Sequence, residues 1–188
     1  MRPLSLTAAC SPWYIPLVRQ RVRLSELALF GMLGAGTFGM KVVMASLPNI
    51  EPVSLMVMLF AVTFGARALY PVYVYVALEY FLYGFNIWSV YYLYIWTVLA
   101  VAAWLLRRME HRLGWALLSG CFGLLFGALC APVDVLIGGF AYAAGRWVSG
   151  IPYDLLHCAG NFTIALLLFV PLRVRMRRLY QDMLNKRR

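Results

Sequence analysis

Between residues 24 and 172 the chain reads as six apolar runs, parted only by short breaks of charge, proline or glycine. A helix needs roughly 20 mostly apolar residues to cross the hydrocarbon of a bilayer. The runs fall at about Leu24–Leu47, Val53–Leu69, Val72–Phe85, Trp88–Leu106, Leu113–Ala131 and Tyr153–Leu172, with a glycine-rich stretch (Gly138, Gly139, Gly145, Gly150) before the last. With 63% hydrophobic and 13% charged residues, a soluble domain of this length would lack the polar surface to cover its core. The spacing therefore predicts an all-α membrane protein of six transmembrane helices. Residues 1–23 form a lead-in, 24–172 the membrane domain, and 173–188 a basic tail.

Charge gives the orientation. Arg2, Arg19, Arg21 and Arg23 precede the first run, Arg67 lies at the second turn, and Arg107, Arg108 and Arg112 lie between the fourth and fifth runs. Arg173, Arg175, Arg177, Arg178, Lys186, Arg187 and Arg188 follow the sixth. Fifteen of the seventeen basic residues thus share one side, leaving Lys41 and Arg146 for the other. Basic loops stay in the cytoplasm, so both termini are expected on the cytoplasmic side of the cell membrane. The net charge of +10 is accounted for by topology, and no nucleic-acid-binding pattern accompanies it.

Several motifs resemble chemistry without its context. Gly34-Ala35-Gly36-Thr37-Phe38-Gly39 matches a dinucleotide fingerprint but sits inside an apolar helix, with no strand before it. Met40 stands where a phosphate-binding loop needs lysine. Trp147 replaces the first glycine of a GxSG nucleophile motif around Ser149, and HExxH is absent. Cys10, Cys121, Cys130 and Cys158 show no CxxC spacing, so no metal site or cofactor is expected. Leu6-Thr7-Ala8-Ala9-Cys10 is a faint echo of a lipoprotein cleavage site, behind too brief an apolar stretch. The chain is expected not to be an enzyme. The alternative would be an intramembrane enzyme using Glu79 and His157.

Ionisable groups within the bilayer are costly and tend to face cavities or partners. Tyr75, Glu79, Tyr83 and Asn86 fall at helical spacing on the third run; Asp154, His157, Cys158 and Asn161 do so on the sixth. Both stripes reach about 10 Å inward from the external side at 1.5 Å per residue. They suggest an outward pocket walled by Tyr83, Phe85, Trp88, Tyr91 and Tyr92, suited to an organic ligand. Hydrogen bonds between helices and an interfacial aromatic belt would leave the same pattern. Two small-residue stripes, Gly31, Ala35 and Gly39 in the first run and Ser119, Gly123, Gly127 and Ala131 in the fifth, permit close helix approach. Packing inside the chain is preferred for the fifth, and a partner protein for the first.

Taken together, residues 24–175 resemble the substrate-binding S components of energy-coupling factor vitamin transporters. The pair Gly31 and Ala35 looks like the AxxxA-type motif that docks these proteins on their transmembrane T component. Leu47-Pro48-Asn49-Ile50-Glu51-Pro52-Val53-Ser54, Leu78-Glu79 with Tyr83-Gly84-Phe85, and Ser149-Gly150-Ile151-Pro152-Tyr153-Asp154 with Gly160-Asn161-Phe162 look most like cobalamin-specific members. The nickel/cobalt branch needs an N-terminal Met-His, whereas this chain begins Met1-Arg2. The resemblance implies capture of a vitamin, cobalamin or alternatively riboflavin or a modified purine, and its delivery through a T component and two ABC ATPase subunits. It places Asn49, Glu51, Glu79, Tyr83, Asn86, Asp154, His157 and Asn161 near ligand, and Gly31 and Ala35 at the docking face.

Overall fold

A computed structural model describes residues 22–47 and 49–185. Most of the expected lead-in, including Cys10 and its neighbours, Pro48 and the last three residues of the tail lie outside the described residues. Among the described residues the chain is helix and turn, with no strand. Four segments are long and apolar enough to cross a membrane: Leu24–Val43, Val53–Tyr83, Ile87–Leu105 and Arg112–Asn185. The helices are α1 (Leu24–Val43), α2 (Val53–Phe64), α3 (Leu69–Tyr83), α4 (Ile87–Tyr92), α5 (Ile95–Leu105), α6 (Arg112–Leu124) and α7 (Phe126–Asn185).

Side-chain contacts fix the directions of these helices. Phe30 stacks on Tyr70 at 5.6 Å, a Cβ on Gly34 would meet Pro71 O and Val74, and Lys41 meets Glu79 at 2.9 Å. Contacts thus advance in step along both helices, so α1 and α3 run parallel. The start of α2 lies near the end of α1, where Glu51 approaches Lys41, and the end of α2 meets Phe30 through Phe64. α2 is therefore antiparallel to both. Its twelve residues are all buried, as expected of a helix apolar on every face. Gly65 reverses the chain with φ 60°, a conformation that costs a residue with a Cβ far more, and a 3-10 turn over Gly65–Ala68 leads into α3.

α6 and α7 form a long hairpin. Gly139, at φ 79°, is the one non-helical residue within the 60 residues of α7. Asp134 faces Arg146 across that bend, Gly127 faces Asp154, Gly123 faces His157, and Trp115 stacks on Phe169. Contact partners recede on either side of Gly139, so 126–138 and 140–185 are antiparallel arms.

Several expected boundaries move. α1 ends at Val43 rather than Leu47, because residues 44–46 form a turn. α2 stops at Phe64 and α3 starts at Leu69, accommodating Pro71 in its first turn, where the missing N–H is not needed. The fourth run is two helices, interrupted at Leu93 and Tyr94. The fifth run breaks near Leu125, then continues past Pro132, and the glycine-rich stretch is helical except at Gly139. Glycine and proline interrupt helices in water, where freed backbone groups find solvent. In an apolar setting those groups have nowhere else to go, so the helix persists. α7 also runs past Leu172 to Asn185, held by Arg173 donating to Arg107 O and Met109 O, and by Tyr180 donating to Glu26 at 2.8 Å.

Candidate functional site

The end of the bundle opposite Glu26 and Tyr180 gathers charge around one lysine. Lys41, near the end of α1, donates to Glu79 Oε2 at 2.9 Å and to the Tyr92 hydroxyl at 3.3 Å, and lies 3.9 Å from Glu51 Oε2. Its Nζ stands 5.1 Å from the Tyr92 ring centroid and 5.9 Å from that of Tyr75, within range of a cation–π attraction. Glu79 is only 7% exposed. One of its oxygens holds Lys41, while Oε1 has no hydrogen-bond partner. The Tyr75 hydroxyl, fully buried beside this carboxylate, completes no well-formed hydrogen bond either. Glu51 lies outside the helices, and burial pushes its pKa up; Lys41 works against that rise and the Glu79 charge adds to it.

A cavity of about 20 Å3 adjoins this cluster, lined by Glu79, Tyr83, Asn86, Trp88 and Tyr92 among others. That is room for a single water-sized group. The segment 49–51 joins the two halves of the bundle at this end. Asn49, at φ 56°, donates through Nδ2 to Tyr153 O at 3.2 Å on α7. Ile50 packs over Gly160, where a Cβ would come within 3.2 Å of it, and Glu51 turns to Lys41 on the other side. Three consecutive residues thus bridge the α1–α3 half and the α6–α7 half.

The two expected polar stripes do not face each other across a hollow. On α3, Tyr75 and Glu79 are buried, but Tyr83 lies a turn beyond and is exposed. Asn86 leaves the stripe altogether, because Gly84 at φ 72° ends the helix before it. It caps α4 instead, its Oδ1 accepting from Trp88 N at 2.9 Å while Ser89 Oγ accepts from Asn86 N at 3.1 Å. The α7 stripe faces α6 and α2. Both Asp154 oxygens accept from Gly127 N at 3.2 Å, and Asn161 donates to Ser54 Oγ at 3.0 Å and Ser119 O at 3.3 Å. His157 packs edge-on against Phe126 at 5.1 Å, with Nε2 unpartnered.

Between Glu79 and His157 run ring contacts in sequence: Tyr75 to Trp96 at 5.9 Å, Trp96 to Phe126 at 6.1 Å, then Phe126 to His157. Tyr92 and Phe122 flank the same indole at 5.5 and 5.8 Å. Aromatic side chains thus fill the volume in which the sequence suggested a large pocket. Among the described residues Glu79 and His157 share no hydrogen bond, and the Trp96 and Phe126 rings lie between them. Trp96 Nε1 and Ser119 Oγ, both buried, also lack hydrogen-bond partners.

Sequence reasoning left Lys41 out of the site, counting it only as a stray positive charge on the outer side. Its signal was available, as the one lysine within an apolar run. A second polar knot was also missed: Asp134 accepts from the Tyr91 hydroxyl at 2.5 Å and lies 3.4 Å from Arg146, joining α4 to the hairpin.

The two small-residue stripes have different fates. On α1, Gly31 and Gly39 have no atom within 4 Å of where a Cβ would project, and Ala35 is exposed between them. Gly34, off that stripe, is the glycine pressed against α3. On α6 and the start of α7, Gly123 and Gly127 are pressed against His157 and Asp154. Compared with protein families, with curated proteins and with solved structures, the chain matches none.

Proposed function

We propose that this protein is a six-crossing membrane subunit that binds a small organic solute from outside, in the manner of an S component. It would deliver that solute through a T component and two ABC ATPase subunits. The alternating helix directions and the basic inner side support six crossings with both termini in the cytoplasm. The observation that carries the binding role is the Glu79 carboxylate, buried against Lys41 with one oxygen unpartnered. A buried acceptor without a donor costs about 1–3 kcal/mol, and a ligand donor would recover it.

The open face of Gly31, Ala35 and Gly39 supports the docking role, since a partner helix can approach a surface without side chains. Cobalamin is the ligand the sequence resemblance suggests. A molecule of that size would require the 49–51 segment to lift and the Tyr75, Tyr92 and Trp96 rings to part, because the cavity at Glu79 now holds one water-sized group.

Mass spectrometry of small molecules retained by the protein purified from its native membrane tests this reading. One organic molecule at near one-to-one stoichiometry, lost from Glu79→Gln, is expected. A folded wild-type protein that retains nothing and supports no uptake alongside its ATPase partners would refute it.

A further inference from the structure

The groups around Lys41 Nζ are those that recognise an alkylammonium ion. A carboxylate accepts at 2.9 Å, a phenol oxygen at 3.3 Å, a second carboxylate lies at 3.9 Å, and the Tyr92 and Tyr75 ring centroids lie at 5.1 and 5.9 Å. Ammonium groups bind by this combination of charge, short hydrogen bonds and aromatic faces. A lysine needs less than this to be tolerated in a bilayer, since it can extend its stem to reach water. Lys41 lies near the outer end of α1, yet its side chain turns inward and is only 19% exposed.

Charge does not balance at this place. Two carboxylates, Glu51 and Glu79, meet one ammonium, and no other charged group adjoins them among the described residues. Glu79 Oε1 remains unpartnered, and Glu79 helps to line the water-sized cavity together with Trp88 and Asn86. The seat therefore holds more negative charge than Lys41 balances, with the Tyr75 hydroxyl beside Glu79 as a further polar group facing it. α1 is also the helix best able to withdraw its lysine, because it packs chiefly on α3 and leaves its glycine face open.

We propose that the seat of Lys41 Nζ is the recognition site for the ammonium group of an organic cation, with Lys41 as its tethered stand-in. This rests on the binding-subunit reading and names its substrate class. When the cation arrives, the Lys41 ammonium leaves Glu79 and moves toward the outer surface, and the incoming ammonium takes its place over Tyr92. Because Lys41 is carried by the helix with the open face, occupancy of the seat is linked to the position of that face.

Calorimetric titration with butylammonium chloride, against butyrate and butanol as controls, tests the seat on the full chain in detergent. Butylammonium should bind Lys41→Met at least tenfold tighter than wild type, since the internal competitor is gone while its stem remains. Adding Glu79→Gln should abolish that binding. Equal affinity in wild type and Lys41→Met, or equal binding of butanol, would overturn the proposal. Should Lys41→Met fail to fold, wild type decides through acetic anhydride labelling read by mass spectrometry. Saturating N,N-dimethylbutylammonium, which keeps an N–H donor but no amine that can be stably acetylated, should raise Lys41 acetylation at least threefold, and an unchanged rate overturns the proposal. A neutral or anionic molecule retained from native membranes would defeat the cation assignment while leaving the binding-subunit reading intact.

Discussion

The α6–α7 hairpin and α1 carry the same small-residue pattern, with opposite outcomes. Along the hairpin, a Cβ on Gly123 would come within 2.7 Å of the His157 carbonyl carbon, and one on Gly127 within 2.6 Å of Asp154 Oδ2. Along α1, Gly31 and Gly39 meet nothing within 4 Å. One stripe is spent on holding two long arms together; the other is left on the surface. Glycine at four-residue spacing therefore marks a place where a helix can be approached, and what approaches it is decided elsewhere in the chain. For the hairpin it is Gly139, which folds the arms together. For α1 no other segment among the described residues comes to cover the stripe.

The largest effect expected from this contrast is at Gly123. Gly123→Leu drives a side chain into the His157 backbone, which cannot rotate away as a flexible side chain could. Over-packing of this kind costs about 3 kcal/mol or more, so thermal denaturation in detergent should show a collapsed transition or no folded protein. Gly31→Leu should unfold at nearly the wild-type temperature. Equal loss in both variants would erase the distinction between the stripes. Next is the Lys41 seat: Glu79→Ala strands a largely buried ammonium with Glu51 as its remaining counterion at 3.9 Å. Breaking a buried pair typically costs about 3–5 kcal/mol. The second carboxylate should hold the loss to about 2 kcal/mol, measurable as a shift in the denaturation midpoint. A smaller effect is expected at the bend, where Gly139→Ala places a Cβ at φ 79°. With ψ 179° this is a region essentially confined to glycine, where another residue costs about 1–3 kcal/mol, and a loss of stability at the lower end of that range should appear in the same assay.

These contrasts mark where the amino-acid sequence speaks and where it falls silent. The run-and-break pattern placed the starts of α1, α2 and α6 and the end of α3 within a few residues, the last because Gly84 at φ 72° stops the helix there. It missed the end of α2, where Gly65 rather than Arg67 or Pro71 turns the chain. Preference for an internal partner on the fifth run agrees with Gly123 and Gly127 at the hairpin interface. The glycine-rich stretch misled, since Gly145 and Gly150 remain helical while Gly139 alone turns. Glycines look alike in sequence, and only the fit of neighbouring arms selects the one that bends. The sequence offered the polar stripes as the lining of an outward pocket; in the structure their members Glu79 on α3 and His157 and Asn161 on α7 are buried. Their relation was not legible. Helical spacing reports which residues share a face, but carries nothing about the rotation of one helix against another, and here α7 turns that face to α6 and α2.

The smallest stability change, and the sharpest test of the open stripe, is expected from Ala35→Trp. Ala35 is exposed on α1, and its stripe neighbours Gly31 and Gly39 have free space above them. An indole there displaces no packed atom, so the denaturation midpoint should move by less than the equivalent of about 0.5 kcal/mol. The ligand seat at Lys41 lies between one and two turns further along the helix, so solute binding in detergent should be preserved. Uptake in cells supplied with the transport partners should nevertheless fall to background, because an indole holds a second helix several ångströms from a face whose use depends on close backbone approach. Normal uptake would show that the uncovered stripe is merely facing lipid, and that α1 and the hairpin differ in packing but not in purpose. A loss of folding instead would mean that α1 leans on something within its own chain, and the contrast with Gly123 would narrow to one of degree.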